Sequence, residues 1–73
     1  MRVREKLPLE SIPEVAHAMR ECRNELGEPS RLVVRYSGTE PLARVMVEAA
    51  EAEQVERHAA RIAAAIESAV GWR

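Results

Sequence analysis

Phenylalanine is absent, and one tyrosine and one tryptophan supply all the aromatic rings. Proteins that read single-stranded nucleic acid stack bases on several such rings, so this composition argues against that class. An excess of positive charge is lacking too. Eleven Lys and Arg stand against 12 acidic residues, a formal net charge of −1. No broad basic field is available to attract DNA, RNA or acidic lipid, so any anion must be recognised locally. Cys22 is the only cysteine, which excludes an internal disulfide and suits a reducing cytosol. No apolar run approaches the roughly 18 residues needed to span a membrane, and the N-terminus has no signal-peptide core. A cytoplasmic chain is expected, with neither nucleic acid nor membrane among its partners. Aspartate is missing altogether, so no D-x-D-x-D run exists. No linker, repeat or low-complexity tract divides the chain, and residues 1–73 read as a single domain.

What is present suffices for a thin core. Apolar residues make up 47% of the 73, yet a domain this small buries only about 60% of its unfolded surface. Its net stability is expected to be a few kcal/mol. "MRVREKLPL" opens with a brief alternation consistent with a single strand ending at Pro8. "SIPEVAHAMRECRNELG" reads as a helix: Ser11 and Glu14 have capping-box spacing, and Pro13 falls in the first turn. Ile12, Val15, Ala16, Met19, Cys22 and Leu26 form an apolar stripe, and Gly27 and Pro29 stop it. "RLVVRY" and "ARVMVEA" are short, alternating and rich in β-branched residues, so both read as strands. The second helix, "EAEQVERHAARIAAAIESAV", has acids in its first turn, buries Val55, Ala59, Ile62, Ile66 and Val70, and ends at Gly71. The order β-α-β-β-α predicts an α+β, two-layer domain, with two helices on one face of a small antiparallel sheet.

The hairpin has a testable register. Placing Tyr36 opposite Ala43 sets Arg31 against Glu48, Leu32 against Val47 and Val34 against Val45. It also sets Arg35 directly opposite Arg44 on the face away from the helices, and like charges so placed repel. An anion or an acidic side chain is needed to compensate. The intervening "SGTEPL" suits a multi-oxygen anion. Arg35 and Arg44 offer forked donors, and Ser37 and Thr39 offer hydroxyls. Gly38 allows close backbone approach and can take positive φ, so that successive N–H groups point inward as an anion nest. Pro41 stiffens the loop exit. Glu40 would repel a bound phosphate and is assigned to bracing an arginine or the loop backbone. On composition alone, an ordinary polar turn between surface arginines is an equal reading.

"RYSGTEPLARVMVE" resembles the phosphate-binding signature of the α-D-phosphohexomutase superfamily, R-x-S-G-T-E-P-x-x-R-V-M-V-E, in the form most like that of phosphoglucosamine mutases. The upstream "VREKLPLESIPEVAHAMRECRNELGEPSRLVVR" is similar to the segment preceding that signature, so the likeness covers nearly the whole chain. The resemblance implies a C-terminal lid domain, similar in fold to one repeat of the TATA-box-binding protein. In such a domain Arg35, Ser37, Gly38 and Thr39, with Arg44, contact the substrate phosphate, while Glu40 and Pro41 support the loop. It implies a parent enzyme that converts glucosamine 6-phosphate to glucosamine 1-phosphate, through a phosphoserine and a bisphosphorylated intermediate. The family's phosphoserine motif, Mg²⁺-binding aspartates and sugar-selecting loop have no counterpart here. The resemblance therefore implies no catalytic residue, cofactor or metal within these residues, with Mg²⁺ and the phosphosugar's other contacts left to further domains of the parent. The same domain of a phosphomannomutase or phosphoglucomutase is the alternative within the enzyme class. A free-standing phosphoanion-binding or interaction module is the alternative outside it.

Remaining residues read plainly. His17 and His58 sit on different helices without metal-site spacing, and surface or boundary roles are expected. Cys22 lies on the apolar stripe and is expected to be buried and inert. Val33 and Met46 share the arginine face, covered either by another surface or by the N-terminal segment. Glu53 and Arg57 have the spacing of an intrahelical ion pair. Trp72 either folds back on the core or forms part of the tail.

Overall fold

The structure, a computed structural model, describes residues 1–27 and 30–71. The stop assigned to Pro29 and the placement of Trp72 lie outside the described residues. A 3-10 turn at Leu9–Ser11 leads into helix α1, Pro13–Leu26; strands β1, Arg31–Tyr36, and β2, Ala43–Glu48, follow; helix α2 spans Ala52–Val70. This is the expected α+β arrangement, and the pairing matches the predicted register residue for residue, from Arg31 opposite Glu48 to Tyr36 opposite Ala43. The pleat sends Leu32, Val34, Tyr36, Ala43, Val45 and Val47 toward the helices and leaves Arg35, Arg44 and Met46 on the open face. Arg31 and Glu48 form an exposed ion pair at 3.7 Å.

Between the sheet and the helices lies one core. Val15, Ile62, Ile66 and Val70 are fully buried, joined by Val3, Cys22, Ala18, Met19 and Ala43. Burial pushes the Cys22 thiol up, which keeps it protonated and unreactive at neutral pH. The two helices are also tied at their solvent edge. Glu21 accepts two hydrogen bonds from Arg61, at 2.6 and 2.9 Å, and Glu25 accepts one from Arg57.

Four local expectations are corrected. Ser11 does not cap α1: its hydroxyl donates to the Pro8 carbonyl at 2.7 Å, closing the 3-10 turn. A residue preceding proline is driven to extended geometry, so Ile12, at φ −86° and ψ 111°, becomes the flanking residue of the helix in place of Ser11. Residues 1–8 form no regular strand; Arg2 and Val3 make isolated antiparallel bridges to Leu42 and Gly71. Val3 is the one buried side chain in that stretch, too little apolar area to hold a longer ladder. Arg57 reaches across to Glu25 rather than along its own helix to Glu53. His58 is buried at 2% exposure. It lies four residues before Ile62 and therefore on the same face of α2, where α1 crosses it with Glu25 Oε2 3.4 Å from Nε2.

The C-terminal ends of the two helices are closed differently, one by local chemistry and one by a distant side chain. Gly27 closes α1 at φ 60°, the left-handed conformation that favours glycine, and donates its N–H to the Arg23 carbonyl. At the end of α2 the Arg4 guanidinium donates to the carbonyls of Ala69, at 2.8 Å, and Gly71, at 3.3 Å. A cation there neutralises the negative end of the helix dipole.

Candidate anion-binding site

The hairpin tip is residues 37–42, and its two ends are held firmly. Ser37 N–H donates to the Leu42 carbonyl at 2.8 Å, extending the strand pairing by one step. Leu42 N–H turns back to the Glu40 carbonyl at 2.8 Å, and the Glu40 N–H faces the Ser37 hydroxyl at 3.4 Å. The N-terminal segment braces the tip from outside. Val3 N–H donates to the Pro41 carbonyl and Ala43 N–H to the Met1 carbonyl, both at 2.8 Å. The Lys6 ammonium donates to the Ser37 carbonyl at 2.7 Å. The Tyr36 hydroxyl donates to the Leu7 carbonyl at 2.5 Å; burial, and then the nearby charge of Glu5, push its pKa up, so it stays a donor.

Between these braces the tip is open. Among the described residues the N–H groups of Gly38 and Thr39 have no partner. Gly38 has nothing within 4 Å of where a side chain would project, so its surroundings are open solvent. Thr39, Glu40 and Pro41 are all exposed. Arg35, Tyr36, Ser37, Gly38 and Arg44 line a shallow depression of about 460 Å³. Thr39 lies outside that lining. A second groove of about 520 Å³ runs from the same two arginines along the open face past Val33 and Met46 to Met1.

Electrostatics distinguish this face. Arg35 and Arg44 are directly opposed across the strands, exposed, and without an acidic partner among the described residues. Every ion pair formed elsewhere by the described arginines uses Glu21, Glu25 or Glu48. Glu40 pairs with neither tip arginine, so the bracing of an arginine assigned to it is not formed in this structure. Gly38 does not take the positive φ expected of an anion nest, Gly27 being the one described residue that does. The tip offers instead an uncompensated cation pair beside free backbone N–H groups and a hydroxyl, donors of the kind a tetrahedral oxyanion accepts from.

The N-terminal brace was not legible in the sequence. Lys6 is the only lysine, but it sits in a stretch read as a strand and lies 31 positions from its partner. No local pattern signals a contact at that separation. Elsewhere among the described residues, no three His, Cys or Glu side chains converge in a way that could hold a metal ion.

A family model described as "Phosphoglucomutase/phosphomannomutase, C-terminal domain" matches residues 1–65. The chain belongs to this family. The phosphohexomutase C-terminal domain seen here is 45% identical to the phosphoglucosamine mutase of Koribacter versatilis over 71 residues, covering 97% of this chain and 15% of that protein. It is 48% identical to that of Solibacter usitatus over 71 residues, covering 97% of this chain and 16% of that protein. With that of Streptomyces griseus the identity is 48% over 67 residues, 92% of this chain and 15% of that protein. The chain thus spans about one-sixth of the length of the curated relatives it matches. The matched region includes the arginine pair and the whole tip.

Proposed function

We propose that this phosphohexomutase C-terminal domain grips the phosphate group of a hexosamine phosphate, as the lid of a phosphoglucosamine mutase. The observation that carries the reading is the pair of opposed, unpaired guanidinium groups of Arg35 and Arg44 beside the free N–H groups of Gly38 and Thr39. Arg35 and Arg44 supply forked, charge-assisted hydrogen bonds to the phosphate oxygens. Gly38 and Thr39 supply main-chain N–H donors, and the Ser37 and Thr39 hydroxyls add two more. Glu40 and Pro41 support the loop, Glu40 through its carbonyl bond to Leu42. The ester's carbon skeleton lies along the open face or toward the rest of the parent protein.

The parent reaction on this reading is the interconversion of glucosamine 6-phosphate and glucosamine 1-phosphate in the cytoplasm, in the service of amino-sugar synthesis. The relatives are named phosphoglucosamine mutases, which favours a hexosamine phosphate over mannose or glucose phosphates. This chain's own part is to hold the phosphate and to exclude water when it closes over the substrate. On this reading phosphoryl transfer and Mg²⁺ binding belong to other residues of the parent; this sequence contains no aspartate for a metal-binding cluster.

Titration of the ¹⁵N-labelled chain with glucosamine 6-phosphate tests the assignment. Saturable amide shifts confined to residues 35–44 and to the brace at Lys6 are expected. Shifts centred elsewhere, or none at millimolar ligand, would remove the tip from the site.

A further inference from the structure

We propose that Lys6 is a positioning residue of the anion site, acting through the Ser37–Gly38 peptide to strengthen the Gly38 N–H as a donor to the ligand. This inference rests on the phosphate reading of the tip and adds a residue that the signature around the loop does not contain.

The Lys6 ammonium donates to the Ser37 carbonyl at 2.7 Å. That carbonyl and the Gly38 N–H belong to one planar, resonance-linked peptide group. A cation at the oxygen draws electron density toward it and leaves the amide hydrogen at the other end more positive. Chains of hydrogen bonds polarised in this way gain roughly 10–30% per bond. The Gly38 N–H makes no internal hydrogen bond among the described residues, so the enhanced donor is free for a ligand in the depression that Gly38 lines.

The geometry of Lys6 is set from both sides. Two residues earlier, Arg4 is anchored by its main-chain N–H to the Val70 carbonyl and by its guanidinium to Ala69 and Gly71. One residue later, the Leu7 carbonyl accepts the Tyr36 hydroxyl. The stem of Lys6 therefore springs from a backbone tied to both the helix end and the strand end. No carboxylate among the described residues pairs with its ammonium, so its charge is left to the peptide it touches. An ammonium also adds long-range attraction for an anion at the tip, without competing for the lone pairs that Arg35 and Arg44 engage.

Charge and hydrogen bonding are separable by substitution. Lys6→Gln keeps a donor and loses the charge, whereas Lys6→Arg keeps both. In the ligand-free chain, Lys6→Gln is expected to move the Gly38 amide proton upfield while Lys6→Arg leaves it near its original position. Titrated with glucosamine 6-phosphate, Lys6→Gln is expected to weaken binding about threefold, from the lost polarisation of the Gly38 donor and the lost long-range attraction of the ammonium. Lys6→Arg should stay within about twofold of the original affinity, with thermal midpoints of both variants unchanged. Equal affinity in Lys6→Gln and the parent chain, an unmoved Gly38 proton, or a loss of affinity that merely follows a loss of thermal stability would each overturn the proposal. Absence of saturable shifts in the unsubstituted chain would overturn the phosphate reading instead, and this inference with it; the Gly38 shift, measured without ligand, keeps the two failures distinct.

Discussion

Arg35 and Arg44 face each other directly across the strand pair, a placement of like charges that costs the free fold and that an anion between them would offset. Two effects of opposite sign follow for Arg35→Gln. Relief of the repulsion is expected to stabilise the ligand-free chain by about 0.5 kcal/mol, read from urea unfolding at low salt. Loss of a charge-assisted contact is expected to weaken phosphosugar binding at least about tenfold, the equivalent of roughly 1.5–3 kcal/mol, read from the amide titration. A variant that loses both stability and affinity would show that Arg35 serves the fold rather than a ligand. His58 is the other residue whose setting makes a prediction. Burial, and then the charges of Arg57 and Arg61, lower its pKa, while Glu21 opposes the shift; Glu25 stands 3.4 Å away. The folded chain thus takes up the proton less readily than the unfolded chain. The contribution is fully present above the unfolded value of 6.5 and is lost as pH falls through that value toward the lower folded one. Thermal midpoints should therefore decline from pH 7 to pH 5, before the lowered carboxyl of Glu21 begins to titrate. His58→Leu, similar in bulk and uncharged, should flatten that decline; an unchanged slope would place the proton elsewhere.

At the scale of elements, the hairpin is the part whose register was legible before its surroundings were known. Alternation along Arg31–Tyr36 and Ala43–Glu48 leaves one pairing that buries aliphatics on one side and matches Arg31 with Glu48 at the far end. A slip of one residue would turn the apolar set of one strand, either Leu32 and Val34 or Val45 and Val47, to solvent. The C-terminal helix ends were legible from Gly27 and Gly71, which stop the helices where expected, but what approaches those ends was not. At Gly71 a Cβ would meet the Glu67 carbonyl oxygen at 2.7 Å and the Glu67 Cα at 2.8 Å. Backbone atoms cannot rotate away, and the same residue bridges to Val3. Gly71→Ala is expected to destabilise the chain by about 1–3 kcal/mol, seen as a shift of the urea midpoint at unchanged slope, and to loosen the N-terminal brace with it. Exchange of the Val3 and Arg4 amides should quicken in step.

At the scale of the molecule, a thin core concentrates the stability in a few side chains. Ile62 and Ile66 have no exposure and lie where α2 meets both α1 and the sheet. Ile66→Ala is expected to cost about 2–5 kcal/mol, comparable to the whole net stability of so small a domain. Its far-ultraviolet circular dichroism should show a largely unfolded population at 37 °C; a cooperative transition near the parent midpoint would mean that the core is more adaptable than its packing implies.

Sequence alone determined the hairpin register, the identity of the tip and most of each helix face, because each depends on periodicity or on residues adjacent in the chain; on α1, Ala18 is buried where the expected stripe had Ala16. The family followed from the same contiguous stretch, RYSGTEPLARVMVE. Only the tertiary structure decided that His58 is buried, that Arg57 leaves Glu53 for Glu25, and that Met1–Leu7 braces the tip rather than extending the sheet as a regular strand. Those outcomes turn on distances between segments dozens of residues apart. A local pattern records which side chains a segment carries; which partner each one meets is settled when the elements pack.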